Sequence, residues 1–441
     1  MGSTRTLSVP LAATLGLVLL AAHFLRQGQA GLCGACLLLA GLAWTRRGYA
    51  RFVLAAALAA GAVDFGLTAA HLVAERAASG QPWLRLVAIL AGSLGLVLFA
   101  AAHLVARAGQ RRFDQEPEKA GPKAAAALLT AGLLFATRRL VPLPILLADR
   151  FLPHSGPLEI AVLSLYAAWA CGALADPALV RRLRPTLWGL FSFVFFLQLG
   201  LGLCGFERLL MTGVLHLPVP ALIVAGPLYR GGGLFMLILF LSTVLLAGPA
   251  WCSHLCYIGA WDSAFAAHRP PENPEALRRF VVRGRLATLG LTAGGALVLR
   301  LFGVGTAIAV WLAAGFGLAG VGVMAALSRR SGQMVHCAAY CPIGLVANVL
   351  GRIAPWRLRI GEGCKRCKAC QQVCRYAALT DADFERGSPG LSCTLCGDCL
   401  SACAHDALGF AFPGLSLSAA RAAFAALIAS LHAVFLAVAR I

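Results

Sequence analysis

Cysteine is the residue whose number and spacing say most in this chain. Eight of its 16 cysteines lie within residues 364–403. CKRCKACQQVC spans 364–374 and CTLCGDCLSAC spans 393–403, and each reads Cys-x2-Cys-x2-Cys-x3-Cys. Thiolates are the soft ligands that iron–sulfur clusters take. Three closely spaced cysteines wrap one corner of a cubane, and the fourth is carried away to ligate the other cluster. The expected sets are Cys364, Cys367, Cys370 and Cys403 for one [4Fe–4S] cluster, and Cys393, Cys396, Cys399 and Cys374 for a second. Structural zinc takes four ligands per ion with longer gaps between pairs, so it fits two copies of this compact run poorly. The proline that usually follows the fourth cysteine is absent, with Arg375 and Ala404 in its place. Lys365, Arg366 and Lys368 flank the first run, as ordinary solvated charge or as a greeting for an acidic electron carrier.

Two further pairs follow a different rule. WCSHLCYIG holds Cys252 and Cys256, and HCAAYCPIG holds Cys337 and Cys341. Spacing i, i+4 puts both thiols of a pair on one helix face. Four converging thiols would make another metal or cluster site, or a redox-active dithiol. The plainer reading is cysteine packed as a small apolar side chain. His254 and His336 share these segments and are candidates to assist. Cys33 and Cys36 form CxxC inside an apolar stretch and read first as packing residues, as do Cys171 and Cys204. Dense free thiols call for a reducing compartment around the 364–403 segment.

The elements that must position these groups are apolar helices. Of 441 residues 59% are hydrophobic and 13% charged, with a mean hydropathy of +0.79. That is too apolar for a water-soluble core. Apolar stretches fall at 7–25, 29–45, 52–74, 83–106, 124–142, 158–176, 186–206, 231–250, 286–303, 305–327 and 416–439. Most match a hydrocarbon core about 30 Å thick; the second and ninth are short. The first has signal-peptide character but no small-residue cleavage site, and is read as a membrane helix. The expected fold is an all-α polytopic membrane protein of about 10–11 transmembrane helices with a small α+β bacterial-type 2[4Fe–4S] ferredoxin domain. Its expected divisions are 1–180, a transmembrane helical region; 181–350, a transmembrane region with the two CxxxC motifs; 360–413, the ferredoxin domain; and 415–441, a transmembrane or interfacial helix. Residues 11–28 and 90–109 are alike enough to be candidates for an internal repeat.

The net charge of +20, from 38 basic and 18 acidic residues, sits in short segments between apolar stretches. It therefore marks topology and not a nucleic-acid partner. With the N-terminus inside, the basic residues gather on the inner side, around Arg46–Arg47, Arg111–Arg112, Arg181–Arg184, Arg278–Arg285 and Arg329–Arg330. This places the cysteine module on the cytoplasmic side of a bacterial inner membrane.

In its order of motifs the chain resembles the NapH/NosR-type membrane-bound 4Fe–4S ferredoxins. The resemblance covers about 182–413 and rests on CAAYCPIG, CKRCKACQQVC and CTLCGDCLSAC in that order. The family's CxxxCP is kept at Cys337–Pro342 and broken at Cys252–Tyr257, where tyrosine replaces proline. The resemblance implies electron transfer at the cytoplasmic membrane, with quinol oxidation and supply of electrons to periplasmic reductases. A NosR-type flavin domain has no counterpart here, and residues 1–180 lie outside the resemblance.

Other residues carry weaker signals. Asp64 falls inside the third stretch, where a carboxylate is a functional candidate for carrying protons or meeting a quinone, beside the plainer role of pairing with a neighbouring helix. His23, His71 and His103 are candidate haem b ligands, although such histidines more often face headgroups, so haem is not expected. Arg300, near a helix end, is free to snorkel. Residues 207–230 form an apolar, proline-containing segment suited to the interface. No Walker loop or strand-linked GxGxxG is present, and no catalytic residue is assigned. The expected role is an electron-transfer subunit joining the quinone pool or a cytoplasmic donor, such as a soluble carrier, to a respiratory or periplasmic reductase. The alternative is an assembly factor that reduces a metal ion or a maturing oxidase or reductase centre.

Overall fold

The computed structural model describes residues 3–209, 217–272 and 274–438. The chain is mostly helical and forms two compact units, Met1–Gly172 and Ala173–Ile441. Among the described residues, nine helices are long and apolar enough to cross a membrane: Leu7–Arg26, Gly48–Ala78, Leu84–Val105, Pro117–Leu140, Gly156–Ala175, Pro177–Leu203, Phe235–His254, Thr306–Ser331 and Leu417–Val438. Their outer faces are apolar as well. Leu84, Ile89 and Phe99 on one, and Trp311 and Leu318 on another, stand exposed, an arrangement suited to lipid and not to water.

Nine is fewer than the eleven stretches predicted. The 29–45 stretch forms a helix of 13 residues, Ala30–Leu42, about 20 Å long. The 286–303 stretch is the second half of a helix, Pro274–Leu301, whose first half carries Arg278, Arg279, Arg283 and Arg285; it is not among the nine. Of the 207–230 segment, residues 210–216 lie outside the described residues; Leu222–Arg230 is helical and ends on left-handed Gly231. The terminal helix Leu417–Val438 has full crossing length, and residue 439, its expected last, lies outside the described residues.

In the first unit the helices Ser3–Arg26 and Gly48–Ala78 run parallel. A side chain on Gly16 would meet Leu58, and one on Gly61 would strike Leu20; further along, His23 meets Asp64 and Gln27 meets Thr68. Parallel neighbours need a return pass between them, so the chain through Ala30–Leu42 comes back despite its short helix. Leu84–Val105 runs antiparallel to the first helix, with His103 beside Ser8 and Ala100 beside Gly16. The two stretches of similar sequence, 11–28 and 90–109, are thus packed neighbours. Glycine at 16 and 61 lets the backbones close up, as small residues do between membrane helices.

The second unit holds the cysteines of interest. Pro177 starts its first helix behind the N-cap Asp176, whose carboxylate accepts from Ala178 N at 3.0 Å. After Pro342–Leu350 the chain leaves the helices for a two-stranded antiparallel sheet, β1 Arg357–Ile360 against β2 Leu408–Ala411, with Arg357 opposite Ala411 and Ile360 opposite Leu408. The sheet closes the cysteine-rich segment on itself. Trp356 and Phe410 pack on Phe424 of the terminal helix, and Trp356 Nε1 donates to Leu246 O at 3.0 Å.

Candidate iron–sulfur site

The two cysteine runs share one backbone plan. Arg366, Lys368 and Ala377 take left-handed conformations after the first run begins; Leu395, Gly397 and Asp406 do so at the equivalent places of the second. Five of these six are not glycine, and non-glycine residues adopt positive φ at a cost. Repetition of that strain at matched positions ties it to one purpose, turning backbone amides inward around the thiols.

The structure places Cys403 with the first three cysteines of the first run and Cys374 with the first three of the second. Cys364, Cys367, Cys370 and Cys403 line one shared pocket, together with Lys365, Arg366 and His405. Burial, then Cys403 and Cys364, push the Cys370 thiol up to about 11. In the second set burial raises Cys399, followed by Cys396, Cys393 and Cys374. Cys374, the last of the first run, therefore sits with the first three of the second. Ala378 N donates to Cys374 Sγ at 3.4 Å. Four thiols this close resist ionising together unless a cation is bound among them. This donor set fits a cubane. No three His, Cys, Asp or Glu among the described residues close on a single ion; a cubane's thiolates each hold a different iron and stand apart by the breadth of the cluster.

The sets differ in exposure. Each set holds one buried thiol, Cys370 and Cys399, but only the first holds an exposed one, Cys367. On the exposed side Lys368 pairs with Asp381 at 2.8 Å and Arg366 approaches Glu385 at 3.9 Å, while Lys365 stands in solvent. Such exposed pairs add little stability, and they match two of the three flanking cations with carboxylates.

Buried polar contacts fix the module to the helices. Arg184 grips Asp398 through two bonds, 2.9 and 2.7 Å, and donates to Ser253 O at 3.1 Å. Ser253 Oγ donates to Thr394 O at 2.8 Å. Arg278 and Arg386 both bond the buried carboxylate of Asp383. Arg375, standing where proline is usual, donates to the carbonyls of Ala266, Arg269 and Gly332. The missing proline is thereby explained: that position here is a tie to the helical region.

The two CxxxC segments converge. Cys256 and Cys341 are N-cap residues of Tyr257–Ala266 and Pro342–Leu350, with nearly the same backbone, φ −80° ψ 115° and φ −70° ψ 116°. Burial and Cys341 push Cys256 up to about 12, while the amides of Gly259 and Ile258 pull it down. Cys341 is likewise raised by burial and lowered by the amides of Gly344 and Ile343. Burial raises Cys337, as do Asp262, Cys341, Cys256 and Cys252, so the four thiols share one neighbourhood. Tyr257 in place of proline leaves the cap unchanged; its ring stacks on Phe195 at 3.9 Å. The motif histidines stay apart from the thiols: His254 Nδ1 meets Ala250 O at 3.2 Å, and the His336 ring lies against Tyr340 and Gly320.

Gly259 and Gly344 hold this arrangement tight. A Cβ on Gly259 would stand 2.4 Å from Trp188 Cζ2 and 2.9 Å from Cys252 O; one on Gly344 would stand 3.0 Å from Cys337 O. Gly259→Ala should lower stability by roughly 1–3 kcal/mol and exceed Gly344→Ala. Thermal unfolding in detergent checks this; equal effects would sink it.

In the first unit His23 Nε2 lies 3.1 Å from Asp64 Oδ2, and Gln27 Nε2 lies 3.1 Å from the same His23 nitrogen. Gln27 also donates to Thr68 Oγ1 at 3.2 Å. His103 meets Ser8, and His71 is exposed. The histidines named as haem candidates are thus placed singly. Cys36 and Cys171 are buried, Cys33 half-buried and Cys204 exposed.

Sequence reasoning missed the residues that connect the sites. Arg184 and Arg285 were counted as inner-side topology markers, yet they are 2% and 1% exposed. Arg285 Nη1 donates to Asn348 Oδ1 at 2.7 Å, and Asn348 Nδ2 donates to Cys393 O at 3.0 Å. The signal was present: Arg285 is the last basic residue before the apolar half of Pro274–Leu301, where a charge needs a partner. Trp188 and Tyr376 form a buried cluster against which Cys337, Cys374, Cys393 and Cys396 pack; no local pattern marks them.

Residues 229–266 and 311–361 match the family model of a 4Fe–4S binding domain. These stretches contain both CxxxC motifs. Together with the many cysteines the match supports an iron–sulfur domain in this chain. No curated protein matches the chain, and no solved structure does.

Proposed function

We propose that this chain is an integral-membrane iron–sulfur protein of the NapH/NosR type that passes electrons between the quinone pool and a redox partner, with its two-cubane module on the cytoplasmic face of a bacterial inner membrane. One observation carries the reading. The buried cluster around Trp188 and Tyr376 is packed both by Cys337 of a CxxxC motif and by Cys374, Cys393 and Cys396 of the cysteine runs. Cysteines of a CxxxC motif and of both cysteine runs thus meet at one buried cluster, and Cys367 of the first run is exposed. Cubanes, when bound, supply one-electron exchange. The protein's part is to hold the thiols in place, exclude water around the inner set, and present exposed Lys365 beside the outer set to an acidic carrier or subunit.

The His23–Asp64 pair supports the quinol end. Oxidation of a quinol releases two electrons and two protons, and an intramembrane His–Asp pair is suited to accept a proton. Under anaerobic conditions a soluble quinol analogue should reduce the full-length protein, followed by EPR, and Asp64→Asn should slow that reduction about 100-fold. Unchanged rates in Asp64→Asn remove the pair from the path. A protein that ignores quinol and reduces a metal ion would replace the relay reading with that of an assembly factor.

A further inference from the structure

We infer that the two CxxxC segments build a single four-thiolate centre, made by Cys252, Cys256, Cys337 and Cys341, that holds a third iron–sulfur cubane. The inference rests on the iron–sulfur reading above and assigns a cofactor to thiols that the two-cubane module does not use.

The first support is repetition. Each segment places a cysteine, a second cysteine four residues on, and a glycine three residues after that: Cys252, Cys256, Gly259 and Cys337, Cys341, Gly344. In both, the second cysteine caps a helix with the same backbone, and its sulfur meets the amides of an Ile-Gly pair. The first cysteine's carbonyl lies against the glycine in both, at 2.9 Å for Cys252 O and 3.0 Å for Cys337 O from a Cβ placed there. Two copies facing one another offer four sulfurs, the number each cubane of the module takes.

The second support is charge. Arg285 is 1% exposed, and its electrostatic neighbours are Cys252, Cys341 and Cys337. Its Nε donates to Val281 O at 2.6 Å and its Nη1 to Asn348, while its Nη2 has no hydrogen-bond partner. A buried guanidinium with a spare donor calls for an anion. The carboxylate of Asp262 supplies none to Arg285; its Oδ2 accepts from Cys337 N at 2.9 Å. A cubane with four thiolates is an anion in either redox state and meets that need. Neutral disulfides would leave both the arginine and the inward amides without purpose. A zinc ion would draw all four sulfurs to about 2.3 Å from one point, and the thiols do not close on one point.

Iron and acid-labile sulfide should be measured on the full-length protein purified without oxygen. About twelve irons are expected, four for each of three cubanes, and about eight in Cys256→Ser/Cys341→Ser, with the EPR signals of the other two unchanged. Eight irons in the unaltered chain would overturn the third cluster and leave the two-cubane module standing. Stoichiometric zinc, or disulfides at the four thiols, would overturn it as well, and absence of labile sulfide would overturn both readings. Arg285→Gln keeps every thiol and guards against a double variant that fails to fold. It should retain about twelve irons and lower the midpoint potential of one centre alone, since the added electron loses its nearby positive charge. Three unmoved potentials would overturn the placement.

Discussion

Cys374→Ser should remove the cluster of the second cysteine run and spare that of its own. Cys374 is among the groups that raise Cys399, Cys396 and Cys393, whereas the cavity of the first set is lined by Cys364, Cys367, Cys370 and Cys403. Loss of one thiolate of four leaves an iron without its protein ligand, so the variant should lose about four irons. The surviving cluster can be identified by exposure. The first set includes exposed Cys367, whereas all four thiols of the second are buried or half-buried, so the cluster left in Cys374→Ser should broaden readily with a soluble paramagnetic relaxant, and the one left in Cys403→Ser should resist it. If Cys374→Ser instead keeps the shielded cluster, ligation runs along each cysteine run and the crossed assignment fails.

The grouping of these thiols could be proposed from sequence because four cysteines at short fixed spacing constrain a loop locally, whatever surrounds it. The helical class was legible for a similar reason: burial in lipid imposes one composition along a whole stretch. What escaped is what depends on distant partners. Ala30–Leu42 is shorter than its apolar stretch and Pro274–Leu301 joins its stretch to an arginine-bearing half, because composition marks apolar length and not where a helix begins or ends. The CxxxC pairs could be seen in the sequence, but their meeting joins Tyr257–Ala266 to Pro342–Leu350, elements more than seventy residues apart. Arg375 reads in sequence as the loss of a turn-forming proline; in the fold its three carbonyl contacts make it a clamp. Asp64 was legible as an intramembrane carboxylate, and its partner His23, 41 residues away, was singled out for a different chemistry.

Arg184→Met should destabilise the second unit by roughly 3–5 kcal/mol, the range for removing one partner of a buried ion pair. Arg184 and Asp398 have side chains 3% and 11% exposed, so methionine would leave the Asp398 carboxylate buried without its counter-charge and Ser253 O without a donor. The helix Pro177–Leu203 would lose its hold on the loop that carries Cys396 and Cys399, and that loop should become open to proteolysis. Arg184→Lys keeps charge but not the two-pronged geometry, and should fall between. The informative variant is the double one. Arg184→Met/Asp398→Leu removes both charges, and apolar replacement of a buried pair is often close to neutral, so it should be more stable than Arg184→Met alone. Limited proteolysis and thermal unfolding of the full chain measure the series. A double variant as unstable as the single would mean that the pair contributes through its geometry around the second thiol set, beyond mutual neutralisation.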